Sequence, residues 1–270
     1  MKTRSYPYIV AATRLLNTAN LQPELPTPPE HPNHLSIKDV EKGKTSVDYE
    51  QELAFFQIQQ EEYELELHEL LSRVNVKHYR QTARLELLQR APKPLSAAGH
   101  VQRKRGASES FFCDILKKKF AEKILTNVFF VKHNSVFYPD FLYWDPDSNL
   151  TIDIEIDEPY VGYSGHAIHH LSSRTCTSVD DERDAAIASK LWVVVRFAEE
   201  QIFNHPAACA EYIARLAKSI INNLSLNFTT QLVPRVQKWT EEEAAEMARL
   251  RYRNQYVPNN LQGLIRIREV

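Results

Sequence analysis

The segment TIDIEID at residues 151–157 alternates isoleucine with acid. A strand there turns Ile152, Ile154 and Ile156 to one face and Asp153, Glu155 and Asp157 to the other. Three like charges in a row repel, and on a central strand unpaired carboxylates are costly. A divalent cation resolves the conflict. Asp140 stands directly after Pro139 in the preceding strand-like run, and a hairpin across DPDSN, residues 145–149, brings it beside Glu155. Two converging carboxylates suit a hard cation such as Mg²⁺ (or Mn²⁺), which prefers oxygen ligands and keeps several waters. Such an ion polarises a phosphoryl oxygen and lowers the pKa of an attacking water.

Other polar residues admit a chemical and a structural reading side by side. Asp157 either coordinates, orients a ligand or caps the loop that follows its strand. Glu109 opens a helix, where the dipole favours an acid with or without a role in the site. Asp180, Arg183 and Asp184 begin another helix, so capping and a local ion pair explain them without chemistry. His166, His169 and His170, with Cys176, form an irregular set without paired cysteines, a weak zinc signature, and substrate contact or solvent exposure fits the histidines better. Tyr138, Tyr143, Trp144, Tyr160 and Tyr163 either stack on bases or belong to the core and sheet surface. Arg103, Lys104, Arg105 and Lys117 to Lys119 either meet phosphates or solubilise a helix and the loop before it.

The elements that must position these groups follow from periodicity. Five prolines within residues 22–32 exclude regular structure there, so residues 1–45 are expected as an extended, Pro-rich region. Residues 46–106 read as a helical extension: 46–90 lack Gly and Pro and carry an imperfect apolar stripe through Leu53, Phe56, Ile58, Leu65, Leu70 and Leu71. From residue 107, Phe112, Leu116 and Phe120 recur at helical spacing, with strand-like runs next at 127–132, 136–144 and 150–157. A loop of about twenty residues then leads to the helix at Asp180. Residues 191–197, LWVVVRF, read as a buried strand, and a helix over about 207–223 covers it. Thr240 with Glu243 marks the start of a last helix ending near Tyr256, within a C-terminal helical extension, 224–270. The order predicts an α/β class, with a core over 107–223 built as a sheet with helices packed on it.

This core resembles the PD-(D/E)XK nuclease superfamily, and within it the branch similar to very-short-patch-repair endonucleases. The resemblance covers roughly residues 107–220 and rests on Glu109, Pro139-Asp140, Glu155-Ile156-Asp157, DDERDAAI at 180–187 and VVVRF at 193–197. It implies a restriction-endonuclease-like α-β-β-β-α-β core and metal-dependent phosphodiester hydrolysis, with the Asp140 and Glu155 positions as metal ligands and Glu109 as a supporting acid. The position that usually carries Lys holds Asp157, as it often does in this branch, which leaves Lys190, Arg183 or a loop histidine such as His166 to supply a cation. The expected substrate is DNA, with RNA equally compatible. The rival reading is a catalytically inactive nuclease-fold scaffold or nucleic-acid-binding subunit.

Composition narrows the setting. A formal net charge of -2 excludes a uniform polyanion-binding surface, yet residues 101–134 carry eight Lys/Arg against three acids. Residues 48–69 carry eight acids and no Lys or Arg, and the 46–90 region is where a protein partner is expected. Three scattered cysteines argue against a disulfide framework. The apolar stretch near the N-terminus is too short for a signal-peptide core and no long apolar run follows, so a soluble, cytoplasmic protein without a membrane partner is expected.

Overall fold

The computed structural model describes residues 4–22, 27–32, 46–73, 75–96, 106–132, 135–162, 164–172, 178, 180–222 and 233–265. The basic loop Arg103, Lys104 and Arg105 lies outside them, as do Tyr163 and Cys176. The chain divides into two compact units, Met1–Ala19 with Gln81–Val270, and Asn20–Arg80.

Along the chain come β1 (Ser5–Tyr6), β2 (Tyr8–Val10), α1 (Thr13–Asn17), α2 (Ser46–Arg73) and α3 (Val76–Gln89). β3 (Leu95–Ser96), α4 (Ala107–Phe120), β4 (Ile124–Leu125), β5 (Val128–Lys132) and β6 (Ser135–Phe137) follow. The site is carried by β7 (Phe141–Asp145), β8 (Leu150–Asp157), α5 (Asp180–Ala188) and β9 (Val193–Ala198). The last elements are α6 (Glu199–Asn204), α7 (Pro206–Asn222), β10 (Val236–Gln237) and α8 (Glu241–Arg249).

The main sheet has five strands in the order β2-β9-β8-β7-β4, with β8 and β9 parallel and the other neighbours antiparallel. This is a mixed α/β architecture with helices flanking the sheet. β8 is the middle strand, and all of its residues are buried. Its isoleucine face joins Phe112 and Leu116 of α4 and Ile213, Leu216 and Ile220 of α7 in one apolar core, where burial supplies the main driving force. Its acidic face lies under α5, which sends Arg183 onto it.

The β7–β8 hairpin forms across the expected turn, with Phe141 opposite Ile154 and Asp145 opposite Leu150. Asn149 takes the left-handed conformation there (φ 56°), which asparagine tolerates. Its amide donates to the Leu88 and Ala91 carbonyls, tying the end of α3 to the hairpin.

Several expectations change. The run at 136–144 is not one strand: it breaks at Pro139-Asp140 into β6, paired with β5 in a three-stranded sheet, and β7 in the main sheet. Proline has no amide to offer a ladder, which accounts for the break. The N-terminal residues are not merely extended, because β2 forms an edge of the main sheet against β9. The C-terminal stretch is likewise no appendage: β10 pairs with β1, and the segment belongs to the larger unit. Thr240 and Glu243 do form a reciprocal capping box, but α8 stops at Arg249, and Arg251 turns left-handed (φ 53°) before a short 3₁₀ turn. The long loop is pinned by bridges between Tyr160 and Ala167 and between Leu171 and both Ser178 and Thr240.

In the smaller unit, the stripe expected along α2 splits over two faces. Leu53 and Phe56, three apart, are half-buried, whereas Ile58 and Leu65, seven apart, are exposed. Among the described residues no helix is long and apolar enough to cross a membrane.

Candidate functional site

Because Phe141 pairs with Ile154, Asp140 falls opposite Glu155 at the open end of the hairpin. The Asp140 amide donates to Glu155 Oε1 at 3.3 Å, and Asp140 Oδ2 accepts from the Ile156 amide at 2.8 Å. The two carboxylates are therefore interlocked through the backbone, with both residues buried. Arg183, on the first turn of α5, donates to the same Glu155 Oε1 at 2.5 Å and lies 3.5 Å from Asp153 Oδ2.

Glu155 and Asp153 divide under this influence. Burial alone pushes the Glu155 carboxyl up, but Arg183 and Arg196 hold it below its ordinary value, so it is ionised. Asp153 goes the other way: burial, reinforced by the Glu155 charge, drives its carboxyl well up. Neither Asp153 oxygen has a hydrogen-bond partner among the described residues, so its contact with Arg183 is electrostatic only.

One step further along β8 lies a second ion cluster. The wholly buried Arg196 guanidinium donates to Asp157 Oδ1 at 2.7 Å and engages both Asp184 oxygens at 2.8–3.1 Å. Lys238, also buried, follows β10 and places Nζ 3.4 Å from Asp157 Oδ2, 3.3 Å from Asp180 Oδ2 and 3.1 Å from the Tyr8 hydroxyl. Its ammonium rides over the rings of Tyr6 and Tyr8, and the Tyr6 hydroxyl donates to Asp157 at 2.7 Å. His169 Nδ1 stands 3.3 Å from Asp180 and 3.6 Å from Asp157. Burial opposes charge on the ring, but Asp157 and Asp180 outweigh it and push His169 up to about 9. Burial likewise works against ionised Asp157 and Asp180, yet Arg196, His169 and Lys238 hold both below the usual carboxylate range.

Ligand atoms of Asp157, His169 and Asp180 lie within 4.8 Å of one another, a spacing that a metal could use. The electrostatics point to a different use. A protonated imidazole has no lone pair to give, and Arg196 and Lys238 already occupy the two carboxylates. The cluster is a closed set of ion pairs. Glu155 is likewise held ionised with Arg183 on its Oε1, and with Asp140 it offers a second set of hard oxygen donors.

The remaining sequence candidates separate. Asp157 belongs to the ion cluster. Glu109 accepts from the Gly106 amide at 3.2 Å, closing the N-terminus of α4. Arg183 is the candidate cation found on Glu155. Lys190 lies beyond the far end of α5, and His166 is exposed in a turn, so the loop histidine that reaches the acids is His169. Lys117 sits exposed on the last turn of α4 beside Lys118 and Lys119, the last paired with Glu211. Tyr143 and Tyr160 are core residues, and Tyr138 is exposed.

Sequence reasoning missed Arg196, Lys238, Tyr6 and Tyr8 as parts of the site. For Arg196 a signal was present: an arginine inside a buried strand requires acidic partners. Lys238 and the tyrosines carry no such signal, since they lie in or directly after strands only two or three residues long.

The chain matches no family model, no curated protein and no solved structure.

Two outcomes follow from the ion cluster. Lys238→Met leaves buried carboxylates short of a cation and is expected to cost about 3–5 kcal/mol in urea denaturation, whereas a loss within about 0.5 kcal/mol would show that Lys238 is dispensable there. His169 is raised from 6.5 to about 9 on folding, so its stabilisation is complete below 6.5 and is lost as pH rises through about 9. Glu158, which burial pushes from 4.5 up to about 7, acts in the same direction between 4.5 and about 7. Unfolding free energy is expected to fall as pH rises from 6.5 to about 9, and this decline should flatten in His169→Gln.

Proposed function

We propose that the protein is a divalent-metal-dependent nuclease that hydrolyses DNA phosphodiester bonds, with Asp140 and Glu155 as the ligands of Mg²⁺ or Mn²⁺. The observation that carries this reading is the convergence of the two carboxylates across the β7–β8 hairpin, with Glu155 held ionised inside a buried site. Within the main sheet and its helices the order α4, β4, β7, β8, α5, β9 supports a restriction-endonuclease-like core, with β5 and β6 set between β4 and β7 in a separate sheet. When bound, the metal supplies Lewis acidity toward a phosphoryl oxygen and a more acidic water.

The protein's own groups prepare that chemistry. Arg183 helps keep Glu155 deprotonated, and its long side chain would give way if a metal were to take Glu155 Oε1. In the superfamily the position of Asp157 usually carries Lys. Here the ammonium of Lys238 lies 3.4 Å from Asp157, so a positive charge reaches that position from another part of the chain. Lys238 is too buried to touch a substrate, so its role is to position Asp157 and hold it ionised. The exposed Lys117, Lys118 and Lys119 give α4 a surface suited to the phosphate backbone.

A second reading has its own support. Arg183, Arg196 and Lys238 already neutralise much of the acidic face, as befits a nuclease fold kept as a scaffold or nucleic-acid-binding subunit. Cleavage separates the two. Plasmid and single-stranded DNA and RNA are incubated with the full chain in Mg²⁺, Mn²⁺ or EDTA. Metal-dependent cutting is expected from the wild type, with Asp140→Asn and Glu155→Gln each lowering the rate by about two orders of magnitude or more. Folded wild type that cuts nothing would move the assignment to the scaffold, and variants that cut as well as the wild type would overturn Asp140 and Glu155 as the site.

A further inference from the structure

The acids around the contact between β8 and α5 are nearly all engaged. Asp157 accepts from Tyr6 and Arg196, and Asp184 holds Arg196 with both oxygens. Asp180 meets Lys238 and His169, and Asp140 is bonded to the Ile156 amide. Asp153 differs from them. It stands in the middle of β8 with no exposure, and neither of its oxygens has a hydrogen-bond partner among the described residues. Such a group is rare, because burial without a partner is costly.

The cation nearest to it is Arg183, which lies between Asp153 and Glu155. One nitrogen, Nη2, donates to Glu155 Oε1 at 2.5 Å and stands 3.5 Å from Asp153 Oδ2. A shift of less than about 1 Å brings that nitrogen within hydrogen-bond distance of Asp153. Asp184 offers no such place: it is 4.0 Å from Nη1, and Arg196 already holds both of its oxygens. On the reading of Asp140 and Glu155 as metal ligands, on which this inference rests, a cation at Glu155 Oε1 would displace Arg183 within a buried site. A guanidinium left there without a carboxylate would be strongly destabilising. We infer that Asp153 is a positioning residue that receives Arg183 when a metal takes Glu155, so that Arg183 is a two-position switch between neighbouring acids. Asp153 then gains the partner it lacks, Glu155 exchanges one cation for another, and the displaced guanidinium keeps an acidic neighbour. Asp153 itself is not a ligand.

Two measurements test the switch, one of them without metal. In urea denaturation of the metal-free full chain, Asp153→Asn removes a vacant acid and is expected to leave the midpoint unchanged or raise it. In the Glu155→Gln background, where Asp153 is the carboxylate left for Arg183, the same change is expected to lower the midpoint. An equal shift in both backgrounds overturns the inference. Titration calorimetry with Mn²⁺ poses the question through variants that keep Glu155. Asp153→Asn is expected to bind Mn²⁺ at least about tenfold more weakly than the wild type. In Arg183→Met there is no guanidinium to rehouse, so adding Asp153→Asn is expected to change nothing. Weakening that persists in Arg183→Met makes Asp153 a ligand and overturns the switch. Equal binding by the wild type and Asp153→Asn overturns the switch alone, whereas wild type that binds no Mn²⁺ removes the metal reading and the switch with it.

Discussion

A fully buried guanidinium is the constraint around which the rest of the larger unit is arranged. Arg196 lies in the middle of an apolar strand, and moving such a charge out of water costs several kcal/mol even after relaxation. The fold answers with Asp157 from the neighbouring strand and Asp184 from the covering helix, while Glu155 and Asp180 lie 3.9 and 3.7 Å away. One planar fork thus fastens β8, β9 and α5 together. The surplus of acid that results is balanced by Lys238, His169 and Arg183, each from a different part of the chain.

This arrangement bears on chemistry through Glu155. A buried carboxylate without compensation is driven toward its protonated form, as burial and the Glu155 charge drive Asp153, and a protonated acid is a poor metal ligand. Arg183 and Arg196 reverse that tendency at Glu155, which keeps the proposed ligand ionised. On the proposed reading, a metal bound through Glu155 Oε1 would have to displace Arg183. Asp140 resists rearrangement, being bonded to the backbone of the strand it faces. The proposed pair thus joins a carboxylate held by backbone to one held by a long side chain.

How much of this the sequence reveals depends on how local the signal is. The alternation of TIDIEID identifies the two faces of β8, and the turn at 145–149 is enough to place Asp140 beside Glu155, because hairpin register is set within a few residues. The break at Pro139 was legible in principle, since a proline cannot continue a ladder. The ion cluster was not. Tyr6 and Lys238 meet Asp157 across separations of 151 and 81 residues, through strands too short to show any periodicity. The stripe on α2 was misread for another reason: apolar residues on two faces of one helix merge into a single imperfect pattern when counted along the sequence.

The most direct test of the central claim is Mn²⁺ binding by the full chain, followed by titration calorimetry near neutral pH for the wild type, Glu155→Gln and His169→Gln. The account predicts binding by the wild type and by His169→Gln, with Glu155→Gln weakened by at least about tenfold. Folded wild type that binds no metal, or binding lost in His169→Gln and kept in Glu155→Gln, would contradict it.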